Sequence, residues 1–163
     1  MELEVFGEAQ NQLDDKGRLN IPRRFQPLFC QGGYLTRAFN GQSLVFYPTP
    51  IWSQLQQRLK ELKQRMVDQD PALFMKAEMI TGNMTRFLSC GTKIDDLDGQ
   101  HRLTIPPALR PWGHLKKDVT LIGMGDTIEL WDTEIWLAYN NEQLSVAALE
   151  KSMSALSVRG ASA

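Results

Sequence analysis

The sequence predicts an α+β fold: one pseudo-two-fold β-domain built from two tandem repeats, with helices attached. Three observations lead there. The chain matches itself at a shift of 84 positions, each copy reads as short strands joined by tight polar turns, and each copy is followed by apolar stripes at helical spacing. At 163 residues the chain is the size of one domain or two very small ones. A copy of roughly 45 residues buries little surface alone, whereas two packed face to face share a core.

The repeat is clearest where Leu13-Asp14-Asp15-Lys16-Gly17-Arg18-Leu19-Asn20-Ile21-Pro22 lies over Leu97-Asp98-Gly99-Gln100-His101-Arg102-Leu103-Thr104-Ile105-Pro106. The register continues through Pro27 and Pro111, Thr36 and Thr120, Gly41 and Gly125, and Ile51-Trp52 and Ile135-Trp136. Positions 7 to 52 hold 13 identities in 46, where average residue usage gives about three.

Each copy opens with a polar turn followed by an alternating segment, Leu19 and Ile21 or Leu103 and Ile105, which predicts a hairpin. A Pro-led stretch follows, Pro22–Phe25 or Pro106–Arg110, and proline in a first turn predicts a short helix there. Strands are expected at Tyr34–Phe39 with Ser43–Tyr47, and at Val119–Gly123 with Thr127–Trp131, turned by Asn40-Gly41 and Gly125-Asp126. Thr49 is the expected cap of a long helix, with Pro50 at its first position and Trp52, Leu55, Leu59, Leu62 and Met66 as its stripe. Asp70-Pro71 restarts a second helix with Leu73, Phe74, Ala77 and Ile80 as its apolar face. Copy two repeats the plan from Thr133, Val146, Leu149, Met153 and Leu156 predict a final helix, and Ser157–Ala163 reads as a frayed tail.

Composition narrows the function. Apolar residues make up 42% and charged residues 23%, with 18 basic against 19 acidic side chains and a net charge of -1. That balance excludes a generically basic nucleic-acid coat and leaves room for a local basic patch. No apolar run approaches the ~20 residues of a membrane span, and Met1–Arg18 lacks the charged start and apolar block of a secretory signal. Cys30 and Cys90 are too few for a disulfide framework, which fits a reduced cytosolic setting.

The turn itself holds the candidate chemistry. From Lys16 to Phe25 there are four basic residues, Lys16, Arg18, Arg23 and Arg24, and no acid. One reading is a structural ion pair, in which Asp14 or Asp98 accepts turn amides and the following Arg returns to it. The other is DNA recognition, since Arg suits bidentate contact with guanine or phosphate and a two-stranded ribbon fits a major groove. Copy two is less basic, with Asp95, Asp96 and Asp98 ahead of its turn. The chain up to Met84 carries 10 basic against 9 acidic residues, and the remainder 8 against 10, so copy one is expected to dominate any DNA contact.

These segments, LDDKGRLNIPRRF and LDGQHRLTIPPALR joined to VTLIGMGDTIELWDTEIW, resemble the MraZ family of bacterial transcriptional regulators, built from two tandem SpoVT–AbrB-type units. The resemblance runs from Phe6 to about Tyr139. It implies a swapped-hairpin, AbrB-like β-barrel in which both copies share one core: a first repeat at 8–50, a helical connection at 51–91, a second repeat at 92–134, and C-terminal helices and tail at 135–163. It further implies a homo-oligomeric ring that binds direct repeats of double-stranded DNA upstream of the division and cell-wall gene cluster, its own gene included, generally repressing it. A cytoplasmic, nucleoid-associated protein without cofactor, metal or catalysis is then expected. DNA contact falls to Arg18 and Arg102, with Lys16, Arg23 and Arg24 on the backbone, while Asp14, Gly17 and Asp98 shape the loops. The family places Gly before the Arg, as Gly17 does, but copy two has His101. An antitoxin-like or ring-scaffold protein-interaction module is the alternative reading.

Other constellations are weaker. Counting from Asp96, a calcium loop would need Glu where Pro107 stands. Cys30, Cys90, His101 and His114 lack zinc-ligand spacing, and no phosphate loop or nucleophile elbow occurs. Asp14 and Asp15, beside Lys and Arg in a turn, are expected to be ionised and poor general acids. Trp52 and Trp136 are expected in the core or in packing between the copies, with a subunit interface as the alternative. Arg58, Lys60, Lys63 and Arg65 are expected on a solvated helix face, with an auxiliary DNA contact as the alternative.

Overall fold

The computed structural model describes residues 3–161. Strands β1 (Val5–Gln12), β2 (Arg18–Asn20), β3 (Gly33–Arg37) and β4 (Leu44–Pro48) come from copy one; β5 (Thr92–Ile94), β6 (Arg102–Thr104), β7 (Asp118–Gly125) and β8 (Ile128–Asp132) come from copy two. They form a six-stranded antiparallel sheet in the order β1-β7-β8-β4-β3-β5 and a separate β2–β6 ribbon. The order has two-fold logic: exchanging the copies turns β1–β7 into β5–β3 and maps β4–β8 and β2–β6 onto themselves. The repeats are interleaved, as the expected pseudo-two-fold α+β domain requires. Six strands and a ribbon enclose one core rather than a continuous closed ladder.

Apolar residues from both copies fill that core, among them Leu19, Phe25, Phe29, Leu35 and Phe46 with Leu103, Ile105, Leu121 and Leu130. Leu19 and Leu103 are register partners across the ribbon and are 0% and 1% exposed. Fully burying a leucine contributes ~1.5–3 kcal/mol, so each copy anchors the other's turn. Strand β1 has no counterpart in the sequence reading, because Glu8, Gln10 and Gln12 make it polar. It pairs with β7 along its whole length as an edge strand, where charged and amide side chains stay in solvent.

The helices depart from expectation in detail. After Pro22 the chain first makes a turn, and α1 spans Gln26–Phe29, four residues later than expected. Copy two keeps the turn, Leu109 N–H to the Pro106 carbonyl at 3.0 Å, but forms no helix after it. Gly113 replaces Phe29 there, and a Cβ at that point would crowd Leu44.

Helix α2 (Thr49–Gln69) starts at Thr49 with Pro48 in the capping place, so Thr49 is not the cap; its hydroxyl donates to the Gln31 carbonyl instead. The corresponding helix α4 (Thr133–Gln143) is capped by Asp132, which accepts the Ile135 amide at 3.2 Å. Asp70 accepts the Ala72 amide and starts a 3₁₀ turn at Pro71–Leu73 that leads into α3 (Phe74–Ser89). Leu59 and Ala77 are buried as expected, whereas Leu62 and Phe74 are exposed.

Each copy seats its first long helix with an aromatic pair: Tyr47 against Trp52 at 5.7 Å, and Trp131 against Trp136 at 5.3 Å. Trp136 also donates to a Glu8 carboxylate oxygen, which ties copy two to β1. Helix α5 (Val146–Ala161) carries regular structure through the stretch expected to fray; the last two residues of that expected tail lie outside the described ones. Its stripe of Val146, Leu149, Met153 and Leu156 is exposed throughout. Among the described residues, no helix is long and apolar enough to cross a membrane.

Candidate nucleic-acid interface

Antiparallel pairing of β2 with β6 sets Arg18 opposite Thr104 and Asn20 opposite Arg102. Side chains alternate across a strand, so burying Leu19 and Leu103 turns Arg18, Asn20, Arg102 and Thr104 to the other face. One outward ribbon therefore carries both arginines, one from each copy.

The two turns are built alike, atom for atom. Asp14 Oδ1 accepts the Lys16 and Arg18 amides at 2.9 Å each, and its Oδ2 accepts Arg18 Nε at 2.7 Å. Asp98 Oδ1 accepts the Gln100 and Arg102 amides at 2.9 Å each, and its Oδ2 accepts Arg102 Nε at 2.8 Å. The Gly17 and His101 amides each reach back to the carbonyl of the loop's Asp at 2.9 Å. Residues 17 and 101 both need a left-handed backbone, φ 74° and 60°. Glycine adopts it freely, and His101 meets the same demand as one of the more tolerant residue types. The loop shape thus survives the replacement of Gly by His.

The structural reading of the Asp-x-x-x-Arg pattern is realised in both copies. The ion pair exists, but its acid is exposed, and Arg18 and Arg102 remain partly exposed on the ribbon. Among the described residues, only Nε of each guanidinium is engaged within the protein, which leaves the two terminal amino groups for an outside acceptor. The carboxyls of Asp14 and Asp98 lie below the usual carboxylate range, chiefly because each accepts the backbone amide of its arginine, with the guanidinium adding to it. They are ionised at neutral pH and act as loop anchors.

The other basic residues divide. Lys16 and Arg23 are exposed near the copy-one turn. Arg24 turns away from it: its guanidinium donates to the Glu8 carbonyl on β1 and lies over the Phe25 ring. On the α2 face, Lys63 pairs with Glu78 of α3. Arg110, outside the residues the sequence points to, packs on the copy-one turn from copy two, with Nε on the Ile105 carbonyl at 3.1 Å and Nη2 on that of Lys16 at 3.5 Å. The repeat alignment held a signal for it, since Arg110 falls over Gln26. Among the described residues, no group of three or more His, Cys, Asp or Glu side chains is placed to hold a metal ion.

Comparison with known proteins agrees with the repeat. A family model described as "MraZ protein, putative antitoxin-like" matches residues 5–74 and 89–156. A "Transcriptional regulator MraZ" from Herpetosiphon aurantiacus is 34% identical over 131 residues, covering 80% of this chain and 82% of the relative. One of the same name from Nitrosospira multiformis is 33% identical over 133 residues, with 80% and 82% covered. A third, from Acetivibrio thermocellus, is 30% identical over 154 residues, with 94% and 99% covered. These relatives are named as regulators and not as enzymes. With one family model matching both halves and such relatives aligned over most of its length, this chain belongs to the MraZ family.

Proposed function

We propose that the chain is a sequence-specific DNA-binding transcriptional regulator whose paired Asp-x-x-x-Arg loops enter a major groove. The observation that carries this reading is the β2–β6 ribbon, which presents Arg18 and Arg102 on one outward face. Arg18 and Arg102 read base edges or phosphates, Lys16 and Arg23 hold the backbone, and Asp14, Gly17 and Asp98 keep the loops in shape. Arg24 makes its contribution through β1, by fixing that strand to the turn after Pro22.

The partner is double-stranded DNA, as direct repeats upstream of the division and cell-wall gene cluster that includes the chain's own gene, and the effect is repression. The protein acts in the cytoplasm, on the nucleoid. It assembles as a homo-oligomeric ring, which joins modest cationic patches into one multivalent contact. The exposed apolar stripe of α5 supports self-association, since a contiguous apolar patch marks an interface.

Arg18→Ala with the circular dichroism unchanged tests the assignment: operator binding falls sharply, and unchanged binding overturns it. Neutralising about 6–10 phosphates lowers affinity roughly 10³–10⁵-fold between 50 and 200 mM salt, and a flat titration contradicts the reading. An antitoxin-like protein-interaction role keeps its place because the family description carries that term. In that case the chain fails to shift its own promoter fragment.

A further inference from the structure

The two turns coincide in backbone and differ in what lies against them. Ile105 donates its amide to the Gly17 carbonyl, and Ile21 donates its amide to that of His101. Each loop is thus backed by the isoleucine of the other copy. The carbonyls of those isoleucines are held by equivalent side chains: Arg110 Nε on Ile105 at 3.1 Å, and Gln26 Nε2 on Ile21 at 2.9 Å.

Beyond that shared bond the equivalence ends. Arginine continues past its Nε, and its Nη2 reaches the Lys16 carbonyl in loop one. Glutamine stops at the shared bond. The loop residue facing each follows suit. At Gly17 a Cβ would overlap the Arg110 guanidinium where it lies, so any other residue there displaces the end of Arg110. At loop two, behind the shorter Gln26, a full histidine side chain stands at the same left-handed position.

We propose that Arg110 is a positioning residue for the copy-one loop, and that the exchange of Gly17 with Arg110 for His101 with Gln26 makes a pseudo-symmetric reading ribbon directional. A two-fold ribbon on a duplex fits equally well in two orientations, because the DNA backbone has its own local two-fold axes. Unequal loops remove that degeneracy. Loop one has a guanidinium closed over its backbone and Lys16 at its tip. Loop two has Gln100 at the tip and Asp95 and Asp96 just ahead of it, where copy one has Asn11 and Gln12. Loop one therefore takes the more electronegative part of each binding site, and the subunit lands one way round.

The directional part rests on the DNA-binding reading, while the clamp does not, so the two are tested separately. Without DNA, amide exchange is measured in the full chain for wild type, Gly17→Ala, Arg110→Gln, Arg110→Lys and the double variant G17A/R110Q. Arg110→Gln keeps the bond that Gln26 makes in the other copy, so the fold is retained. Exchange at Lys16 and Arg18 speeds up and exchange at Gln100 and Arg102 does not. Arg110→Lys keeps the charge but not the fork, and it fails to restore slow exchange. Gly17→Ala disturbs loop one more in wild type than in the Arg110→Gln background. Additive effects in that cycle, equal exchange at loop one, or full rescue by lysine overturns the clamp.

With DNA, a duplex from upstream of the chain's own gene is bound by variants carrying an iron–EDTA reagent on Asp15→Cys or Gly99→Cys, with Cys30 and Cys90 changed to Ser. Each reagent cuts on its own side of every binding site, and Arg110→Gln weakens binding a few-fold and blurs that separation. Cutting on both sides by either reagent overturns directionality even if the clamp stands. A duplex that is not bound by any variant refutes the DNA-binding reading instead.

Discussion

Asp14 holds Arg18 at two points, taking its backbone amide on one carboxylate oxygen at 2.9 Å and its Nε on the other at 2.7 Å. The aspartate therefore shapes the turn and aims the side chain with one group. Asp98 does the same for Arg102. An ion pair between exposed groups adds little to stability, so the value of this pair lies in orientation. Fixing a guanidinium by Nε costs it one donor and leaves the outer edge of its fork to meet a planar acceptor.

This double hold predicts how Asp14 titrates. Its carboxyl lies below the usual range mainly because of the Arg18 backbone amide, and alanine also has that amide. Carbon-13 titration of Arg18→Ala therefore finds Asp14 still below the usual range, though closer to it than in wild type. A return to the ordinary value contradicts the assignment. The sign follows from linkage: a lowered pKa gives a loop-stabilising contribution that is present above the unfolded value of about 3.9 and lost as pH falls through the folded one.

Asparagine at 14 separates the two roles. Its amide oxygen still accepts the Lys16 and Arg18 amides as an Asx turn does, while its NH₂ faces the Arg18 Nε, donor against donor. Asp14→Asn thus keeps the turn and releases the side chain, whereas Asp14→Ala loses both. DNA binding measured for the two falls less for asparagine than for alanine. Equal losses would show that aiming the arginine is the whole of the contribution.

His101 stands at φ 60° where glycine would stand without strain. A non-glycine residue in that region costs about 1–2 kcal/mol, and glycine gives part of this back through its freer unfolded chain. His101→Gly is expected to stabilise the protein by up to about 1 kcal/mol, with the Asp98–Arg102 pair retained. Thermal unfolding checks it, and a destabilised variant would mean that the imidazole makes a contact worth more than the strain.

How far the sequence discloses all this depends on the kind of interaction. The shift-84 repeat exposes the two turns, their aspartates and their arginines, because those contacts lie within five residues of each other. Strand order was legible only as two-fold symmetry, since nothing local says that β1 seeks β7 and not β2. Arg24 shows the limit well: in sequence it belongs to the basic run, but the Glu8 carbonyl that claims it arrives from β1, 16 positions away. Arg110 is the converse, 94 positions from the Lys16 carbonyl that it meets. The late start of α1 reflects a turn closed by the Pro22 carbonyl, which the proline rule alone does not foresee.

Glu129 gives a pH dependence of opposite sign to that of Asp14. Burial pushes its carboxyl above the usual range, and the hydrogen bond from the Trp131 indole only partly offsets this. Raised in the fold, it binds protons there more readily than in the unfolded chain, so its destabilising effect fades as pH falls towards the usual carboxylate value. Glu129→Gln removes that titration. Urea unfolding at about pH 7 and about pH 5 should find wild type gaining on the variant at the lower pH. A constant difference between the two would mean that Glu129 does not carry the effect.

The exposed stripe on α5 offers the last test, because its side chains contribute little to the monomer. Leu149 and Met153 are 47% and 68% exposed, so changing both to Glu leaves the core intact and alters unfolding by less than ~0.5 kcal/mol per site. If α5 joins subunits, burying a charge in each contact is prohibitive without a partner, and light scattering then finds a smaller particle. DNA binding weakens at the same time by more than the two added charges explain, through lost multivalency. A variant that keeps the wild-type mass removes α5 from any assembly; if the wild type is itself larger than one chain, the exposed Phe6 and Met124 pair across β1 and β7 is the next surface to change.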